Sequence, residues 1–318
     1  MGEQRKADLW DYVMLLRPTL MMPVWMFLFY GHYAASFKGF WGFALPNSSA
    51  FWVSLLSLTL ISGTTYIVNQ IFDIETDRIN RKLFLLPDGI ISVRAAWIYT
   101  VVLSVAGLGI ATCLGKTPFW LMFAIWIMGF MYSVPPFRFK GRPIIDMVWN
   151  SLGYGFLTFL LGYWSAAGGI TGDALRRSIV YMLAVAGVYA ETTIADIEGD
   201  RASGAITIGV LLGKKATAVI GTVLIGLSAL TAILLRDWMG FVPAVITLIF
   251  FLRVFGAGDE DNFVARAKFA FRLAGGIYAL NIGIHYPIYI LMGAVIYAGM
   301  KVYYKTRFGL NYPSLSGD

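Results

Sequence analysis

Long apolar runs restrict this chain more than any other feature. Nine of them, at about 19–36, 50–70, 94–114, 117–133, 147–167, 176–195, 215–235, 238–255 and 275–298, fall in the range of roughly 17–25 residues that a helix needs to cross a bilayer. Backbone groups in hydrocarbon must find partners within the chain, and runs of this length satisfy them as helices. An all-α membrane protein of nine transmembrane helices is therefore expected. Composition agrees: 58% of the 318 residues are hydrophobic and 14% charged, where a soluble domain carries about 25% charged residues. The lone Cys113 excludes a disulfide framework or a thiolate metal site, and two histidines, His32 and His285, are too few for a histidine-rich metal centre. Nothing points to nucleic acid, and the pattern is silent on oligomeric state.

Met1 to Arg17 mixes polar and charged residues without the short apolar core of a signal peptide. It reads as a short amphipathic helix at the interface, followed by Arg17-Pro18 opening the first span. Seventeen of the 25 Lys and Arg residues lie in the N-terminus and in the loops after spans two, four, six and eight. By the positive-inside bias these segments face the cytoplasm, in the plasma membrane if the source is prokaryotic. An odd number of spans then puts the tail, with Lys301, Lys305 and Arg307, on the opposite side.

The same loops carry acids. After span two stands Asn69-Gln-Ile-Phe-Asp73-Ile-Glu-Thr-Asp77-Arg78, and after span six Thr192-Thr-Ile-Ala-Asp196-Ile-Glu-Gly-Asp200-Arg201. From Ile71 and from Ile194 the two stretches share Ile, Asp, Ile, Glu, Asp and Arg in register. Their positions, four helices apart, point to a duplicated four-helix unit, with pseudo-repeat halves at about 19–167 and 176–298 and a site at their junction. On a helix the aspartates at i and i+4 share one face, with Cβ atoms about 5–6 Å apart. Such a pair of like charges needs a cation between them. Asn69, Asp73, Asp77, Asp196 and Asp200 offer only oxygen donors, which suit Mg²⁺, an ion that keeps waters and shares itself with phosphate oxygens. Two facing stripes would clamp two Mg²⁺ ions around one diphosphate, with Thr192 standing where the first copy has Asn69.

Basic residues accompany the acids: Arg78 and Lys82 after the first motif, Arg201 after the second. A third loop, Tyr132-Ser133-Val-Pro135-Pro136-Phe-Arg138-Phe-Lys140, sets two more cations behind a rigid Pro-Pro turn. Arg forks and Lys point charges are what phosphate oxygens require. Arg17, Asn150 and Glu191, near the same ends of spans one, five and six, are candidates to reach an acceptor. A secondary carrier of a phosphorylated or cationic substrate is the competing class, since repeated halves and intramembrane acids also occur there.

At these residues the chain resembles the UbiA superfamily of intramembrane prenyltransferases over about residues 12–300. Asn69-x-x-x-Asp73-x-x-x-Asp77, the later Asp196-x-x-x-Asp200 and the Tyr132-Ser-x-Pro-Pro stretch stand in the family's order, as do Gly204, Thr207 and Gly213. It departs at Lys82-Leu-Phe-Leu-Leu-Pro87, which lacks the family's Arg-Pro, and at Thr193, where many members have a further Asp. The resemblance implies one domain over 1–318, a pseudo-duplicated bundle of nine helices around a central cavity, and a membrane-bound enzyme. It implies Mg²⁺-dependent transfer of a prenyl group, geranyl to geranylgeranyl in class, from an allylic diphosphate to a lipophilic or aromatic acceptor, in lipoquinone or isoprenoid-lipid biosynthesis. In that reading Asp73, Asp77, Asp196 and Asp200 are catalytic and hold metal with Asn69. Arg78, Lys82, Tyr132, Arg138, Lys140 and Arg201 bind diphosphate, and Arg17, Asn150 and Thr192 meet the acceptor on the cytoplasmic side.

Overall fold

A computed structural model describes residues 6–36, 45–79 and 83–313, and among them every regular element is helical. In chain order these are α1 (Leu9–Leu15), α2 (Pro18–Ser36), α3 (Ser49–Phe72), α4 (Ile74–Ile79), α5 (Val93–Leu114) and α6 (Lys116–Ser133). Then α7 (Ile145–Ser151) runs through a π-helical turn at Leu152–Leu157 into α8 (Thr158–Ala167). Next come α9 (Gly172–Ser203), α10 (Ile208–Leu212), α11 (Lys214–Leu234), α12 (Trp238–Val254), α13 (Glu260–His285) and α14 (Pro287–Phe308). Five of the described helices, α3, α5, α9, α11 and α14, are long and apolar enough to cross a membrane, and α1 with α2, bent by 51°, makes a sixth candidate. The chain is an integral, multi-pass membrane protein.

One apolar run is corrected by the backbone. The stretch 275–298, expected as a single span, is divided between α13 and α14. Tyr286 still donates its N–H to the Ile282 carbonyl at 2.8 Å, but Pro287 has no N–H to continue the ladder and instead opens a new helix. Hydropathy is blind to this break because the residues on both sides are apolar. α14 then runs back along α2. The Tyr286 ring lies by His32 and Tyr33, the Tyr289 hydroxyl donates to the Met22 carbonyl at 3.2 Å, and the Tyr303 hydroxyl donates to Asp11 at 2.6 Å.

The tail therefore ends beside α1, not across the membrane from it as the odd number of runs implied. Asp11 is fully buried there, and Arg307 reaches both its oxygens, from Nε at 3.1 Å and Nη2 at 2.7 Å. Asp8 caps α1 by accepting from the Asp11 N–H, while its own N–H donates back to Asp11. Lys301, Lys305 and Arg307 thus join the basic side of the molecule, which removes the charge conflict left by nine spans.

The core forms where α2, α8, α9 and α13 meet. Gly31 and Gly162 bring α2 and α8 into backbone contact: a Cβ at Gly31 would lie 1.9 Å from the Phe159 carbonyl oxygen, and one at Gly162 would lie 2.0 Å from that of Leu28. Around this contact the rings of Phe159 and Tyr181 stack at 4.7 Å, Tyr30 packs 4.9 Å from Tyr181, and the Tyr30 hydroxyl donates to the Tyr278 carbonyl at 2.8 Å. Hydrocarbon supplies no hydrophobic drive between helices, so close backbone approach and internal hydrogen bonds carry the association.

Two outcomes follow. Gly31→Leu forces α2 from α8 and destabilises the protein by about 3 kcal/mol, the upper end for overpacking, measured by thermal unfolding in detergent; Gly226→Ala, with nothing within 4 Å of the added carbon, leaves the transition in place. In a Cys113→Ser background, cysteines replacing Lys6 and Lys305 are labelled by an impermeant maleimide from the same face of sealed vesicles. Labelling from opposite faces would mean that α14 does not return.

Candidate active site

α3 delivers the first acidic motif to the end of the bundle that carries α1. It stops at Phe72, where Asp73 takes a non-helical conformation while its N–H still donates to the Asn69 and Gln70 carbonyls at 3.1 and 3.3 Å. α4 restarts the turn, with the Asp77 N–H on the Asp73 carbonyl at 2.8 Å. The aspartates so keep their i, i+4 relation across a kink. Gln70 pins this end by donating to the Leu15 carbonyl at 2.8 Å. Asp73 is buried and Asp77 half-buried. Arg78 donates to Glu75 at 2.8 Å and to the Pro87 carbonyl at 3.0 and 3.3 Å, which turns its guanidinium toward the following loop. Lys82 lies outside the described residues.

The second motif is built differently, on the unbroken α9. Asp196 is exposed there, Asp200 half-buried and Arg201 exposed. Gly204 ends the helix in the left-handed region at φ 75°, and the Ala205 N–H returns to the Asp200 carbonyl at 2.9 Å. The Thr207 hydroxyl donates to Asp200 at 2.8 Å. Thr192 donates to its own helix at the Tyr189 carbonyl (2.7 Å), and Thr193 turns inward against Gly209 of α10. Glu191 is wholly buried against Gly221 of α11.

The segment between α6 and α7 touches both acid-bearing regions. After Val134 the chain folds back on the end of α6, with the Phe139 N–H on the Met131 carbonyl at 3.2 Å and the Lys140 N–H on the Tyr132 carbonyl at 2.9 Å. This return directs Lys140 across to α3, where its ammonium forms an ion pair with Asp73. The Gly141 carbonyl accepts from the Ile206 N–H, just past the second motif, at 2.9 Å. Asn69 donates to Ser133 at 3.4 Å. Arg138, at φ 34°, is exposed.

Beneath lies a cavity of about 220 Å³. Arg17, Asn69, Tyr132 and Asn150 line it at the level of these loops, and Val24, Ser62, Ile125 and Thr158 line it further along their helices. Between these levels the Tyr66 hydroxyl donates to the Leu20 carbonyl at 2.9 Å and meets the Tyr154 hydroxyl at 3.0 Å. Tyr154 belongs to the π-helical turn, a distortion common at functional sites.

Sequence reasoning passed over Asp146, Tyr66, Tyr154 and Tyr189. Asp146 is buried and accepts from the Gly141 N–H at 2.8 Å and from Asn150 Nδ2 at 2.9 Å. Its signal was available as the single acid behind a run of cations, four residues before Asn150. The Gly153-Tyr154-Gly155 triplet inside an apolar run marked the π turn.

Among the described residues no three acidic, histidine or cysteine side chains form a cage for one ion. The donors come in pairs, and all are oxygen. This set fits Mg²⁺, which usually takes one or two carboxylates and completes its shell with water and substrate phosphate oxygens. Asp73 already carries a cationic partner in Lys140, as a carboxylate at the end of an apolar helix must. Lys140→Ala should weaken binding of inorganic pyrophosphate with Mg²⁺ about tenfold to a hundredfold in calorimetry, the loss of one charge-assisted hydrogen bond of about 1.5–3 kcal/mol. Unchanged affinity would remove Lys140 from the anion site.

Comparison with known proteins bears on this geometry. The chain is 29% identical over 184 residues to the digeranylgeranylglyceryl phosphate synthase of Sulfolobus acidocaldarius, a match covering 57% of this chain and 64% of that one, just under two thirds. It is 26% identical over 249 residues to the bacteriochlorophyll synthase 34 kDa chain of Chloroflexus aurantiacus, covering 78% and 79% of the two. In fold it is similar to a UbiA homologue from Archaeoglobus fulgidus whose structure was solved bound to DMAPP and Mg²⁺, with TM-score 0.67, 24% identity and coverage of 90% and 99%. The model of the UbiA prenyltransferase family matches residues 20–276, and the chain belongs to that family.

Proposed function

We propose that this protein is a membrane-bound, Mg²⁺-dependent prenyltransferase that moves a prenyl group of the geranyl to geranylgeranyl class from its diphosphate to a lipophilic or aromatic acceptor, releasing diphosphate. The observation that carries the reading is the α6–α7 segment, whose Lys140 meets Asp73 while its Gly141 carbonyl meets the chain beyond Asp200. One loop so brings a cation to the first acidic motif and its backbone to the chain beyond the second, above a cavity lined by apolar and polar side chains. The UbiA homologue from Archaeoglobus fulgidus, solved with DMAPP and Mg²⁺, and the synthases named above support the same substrate class.

In this reading Asn69, Asp73, Asp77, Asp196 and Asp200 would hold two Mg²⁺ ions, which when bound stabilise the charge that develops on the leaving diphosphate. Lys140, Tyr132, Arg138, Arg201, Arg78 and Lys82 are the candidate donors to its oxygens. Preorganised donors lower the barrier because the allylic C–O bond breaks with its electron pair leaving on diphosphate. The acceptor then supplies the electron pair for the new carbon bond and gives up a proton. Val24, Ile125 and Met128 line the cavity and keep water from the allylic cation. At about 220 Å³ the cavity is below the roughly 300–1,000 Å³ of ordinary ligand pockets, so the far end of a long prenyl chain extends between helices into lipid. Arg17 and Asn150 remain acceptor candidates on the cavity wall; Thr192, with its hydroxyl on its own helix, is a weaker one.

The architecture proposed with this function is a single domain of two pseudo-repeat halves, about 19–167 and 176–298, whose four-helix units begin at α3 and at α9. Each starts with a helix that carries an acidic motif at its end. The contacts of α3 with α5 and of α5 with α6, repeated by α9 with α11 and α11 with α12, support the duplication. In this arrangement α2 and α14 flank the units, and the loops bearing the motifs face the cytoplasm under the positive-inside bias.

Purified protein in nanodiscs should release diphosphate from geranylgeranyl diphosphate with Mg²⁺ and an acceptor, and cease to do so with EDTA. Asp73→Ala and Asp196→Ala each lower turnover at least about 10²–10³-fold, the scale for losing a preorganised electrostatic group, while the protein stays monodisperse. Metal-independent turnover, or near wild-type rates in either variant, would overturn the assignment. A panel of prenyl diphosphates and acceptors read by mass spectrometry identifies the product.

A further inference from the structure

Asp146 has no part in the reading above, yet both of its carboxylate oxygens are hydrogen-bonded beside the site. It lies in the first turn of α7 and is 3% exposed. One carboxylate oxygen accepts from the Gly141 N–H at 2.8 Å, and the other accepts from Asn150 Nδ2 at 2.9 Å. Tyr132 and Tyr189 are its neighbours from α6 and α9.

That placement separates this acid from an ordinary loop cap. The glycine it holds is itself a junction: the Gly141 carbonyl accepts from the Ile206 N–H, just past the end of α9, at 2.9 Å. Lys140 stands one residue before the Gly141 N–H that Asp146 holds, and its ammonium meets Asp73. One buried carboxylate therefore fixes the residue that ties the segment aiming Lys140 at Asp73 to the chain leaving the helix that carries Asp196 and Asp200. Asn150 serves the same joint, since its amide also donates to the Asp146 carbonyl at 2.9 Å.

We propose that Asp146 is a positioning residue that fixes the spacing between the Lys140 segment and the acidic face of α9, so that cations and carboxylates of the two halves meet one diphosphate. The proposal rests on the prenyltransferase reading for its kinetic consequence, but its structural content stands apart from it. Misplacement of catalytic groups by about 1 Å costs on the order of a hundredfold in rate. Loss of Asp146 acts through groups that themselves touch substrate, so its effect depends on those groups being present.

The test uses Asp146→Asn, which keeps the shape of the side chain, and Ile206→Pro, which removes the N–H that the Gly141 carbonyl accepts beyond α9. In a Cys113→Ser background, spin labels on cysteines replacing Phe137 and Gly199 report the distance between the segment and α9 by pulsed electron resonance, in full-length protein without substrate. Both variants should broaden that distance distribution and lower kcat/KM about tenfold to a hundredfold. Adding Asp146→Asn to Lys140→Ala should cost less than about threefold more, the non-additivity of groups acting as one unit. An unbroadened distribution with normal kcat/KM in Asp146→Asn or in Ile206→Pro would overturn the brace, and full multiplicativity with Lys140→Ala would overturn its action through that lysine. Should wild-type protein show no Mg²⁺-dependent turnover, the functional reading fails, and the distance distributions still decide whether Asp146 holds the two elements.

Discussion

Acidic side chains buried at the end of an apolar helix bundle are costly unless a cation or hydrogen-bond donors meet them. Among the described residues Glu191, whose two oxygens find no partner, bears that cost. The arrangement of this end of the molecule otherwise follows from offsetting it. Asp73 takes the ammonium of Lys140, Asp11 takes Arg307, Asp200 takes the Thr207 hydroxyl, and Asp146 takes the Gly141 N–H and the Asn150 amide. The first two pairings join distant parts of the chain, and the last two fix the turns that follow α9 and precede α7. With the Gly141 carbonyl on the Ile206 N–H, they assemble the site from segments more than a hundred residues apart.

Much of the fold was legible because its strongest signals are periodic and local. Apolar runs mark helices wherever the backbone must satisfy itself, and eight of the nine runs fall on helical segments of the structure. The ninth failed at Pro287, where side-chain hydropathy continues while the hydrogen-bond ladder stops. That single missing N–H turns one expected crossing into the end of α13 and the return of α14, and it carries the basic tail back to α1. Arg307 was counted as a topology signal, but its partner Asp11, nearly three hundred residues earlier, could not be found from spacing.

The site divides in the same way. The acids announced themselves by duplication, and the Pro-Pro turn marked Lys140 as directed. Asp146 was hidden because its role depends on the backbone fold of the Gly141 turn, and a lone acid behind a basic loop looks like charge balance. The two acidic copies also differ in a manner their matching residues conceal. Asp73 sits at a kink between α3 and α4, buried and ion-paired, whereas Asp196 lies exposed on the continuous α9. Equal sequence therefore produced unequal environments, set by how each helix ends: by a break at the motif in the first copy, and by Gly204 beyond the motif in the second.

The cavity shows how far hydrogen-bond accounting can go where no charge is involved. The phenol of Tyr66 has one proton, and it is spent on the Leu20 carbonyl. The contact between the Tyr66 and Tyr154 hydroxyls therefore runs in one direction, with Tyr154 donating. Neither phenol then has a proton left to offer the cavity, and the Tyr154 oxygen keeps its lone pairs. A wall of this kind offers nothing acidic to an electron-rich reactant and nothing nucleophilic enough, as a neutral phenol, to compete for an electrophile. The π-helical turn that carries Tyr154 costs the span some of its regular hydrogen bonding, and the directional pair it forms with Tyr66 is the gain that the structure places beside that cost.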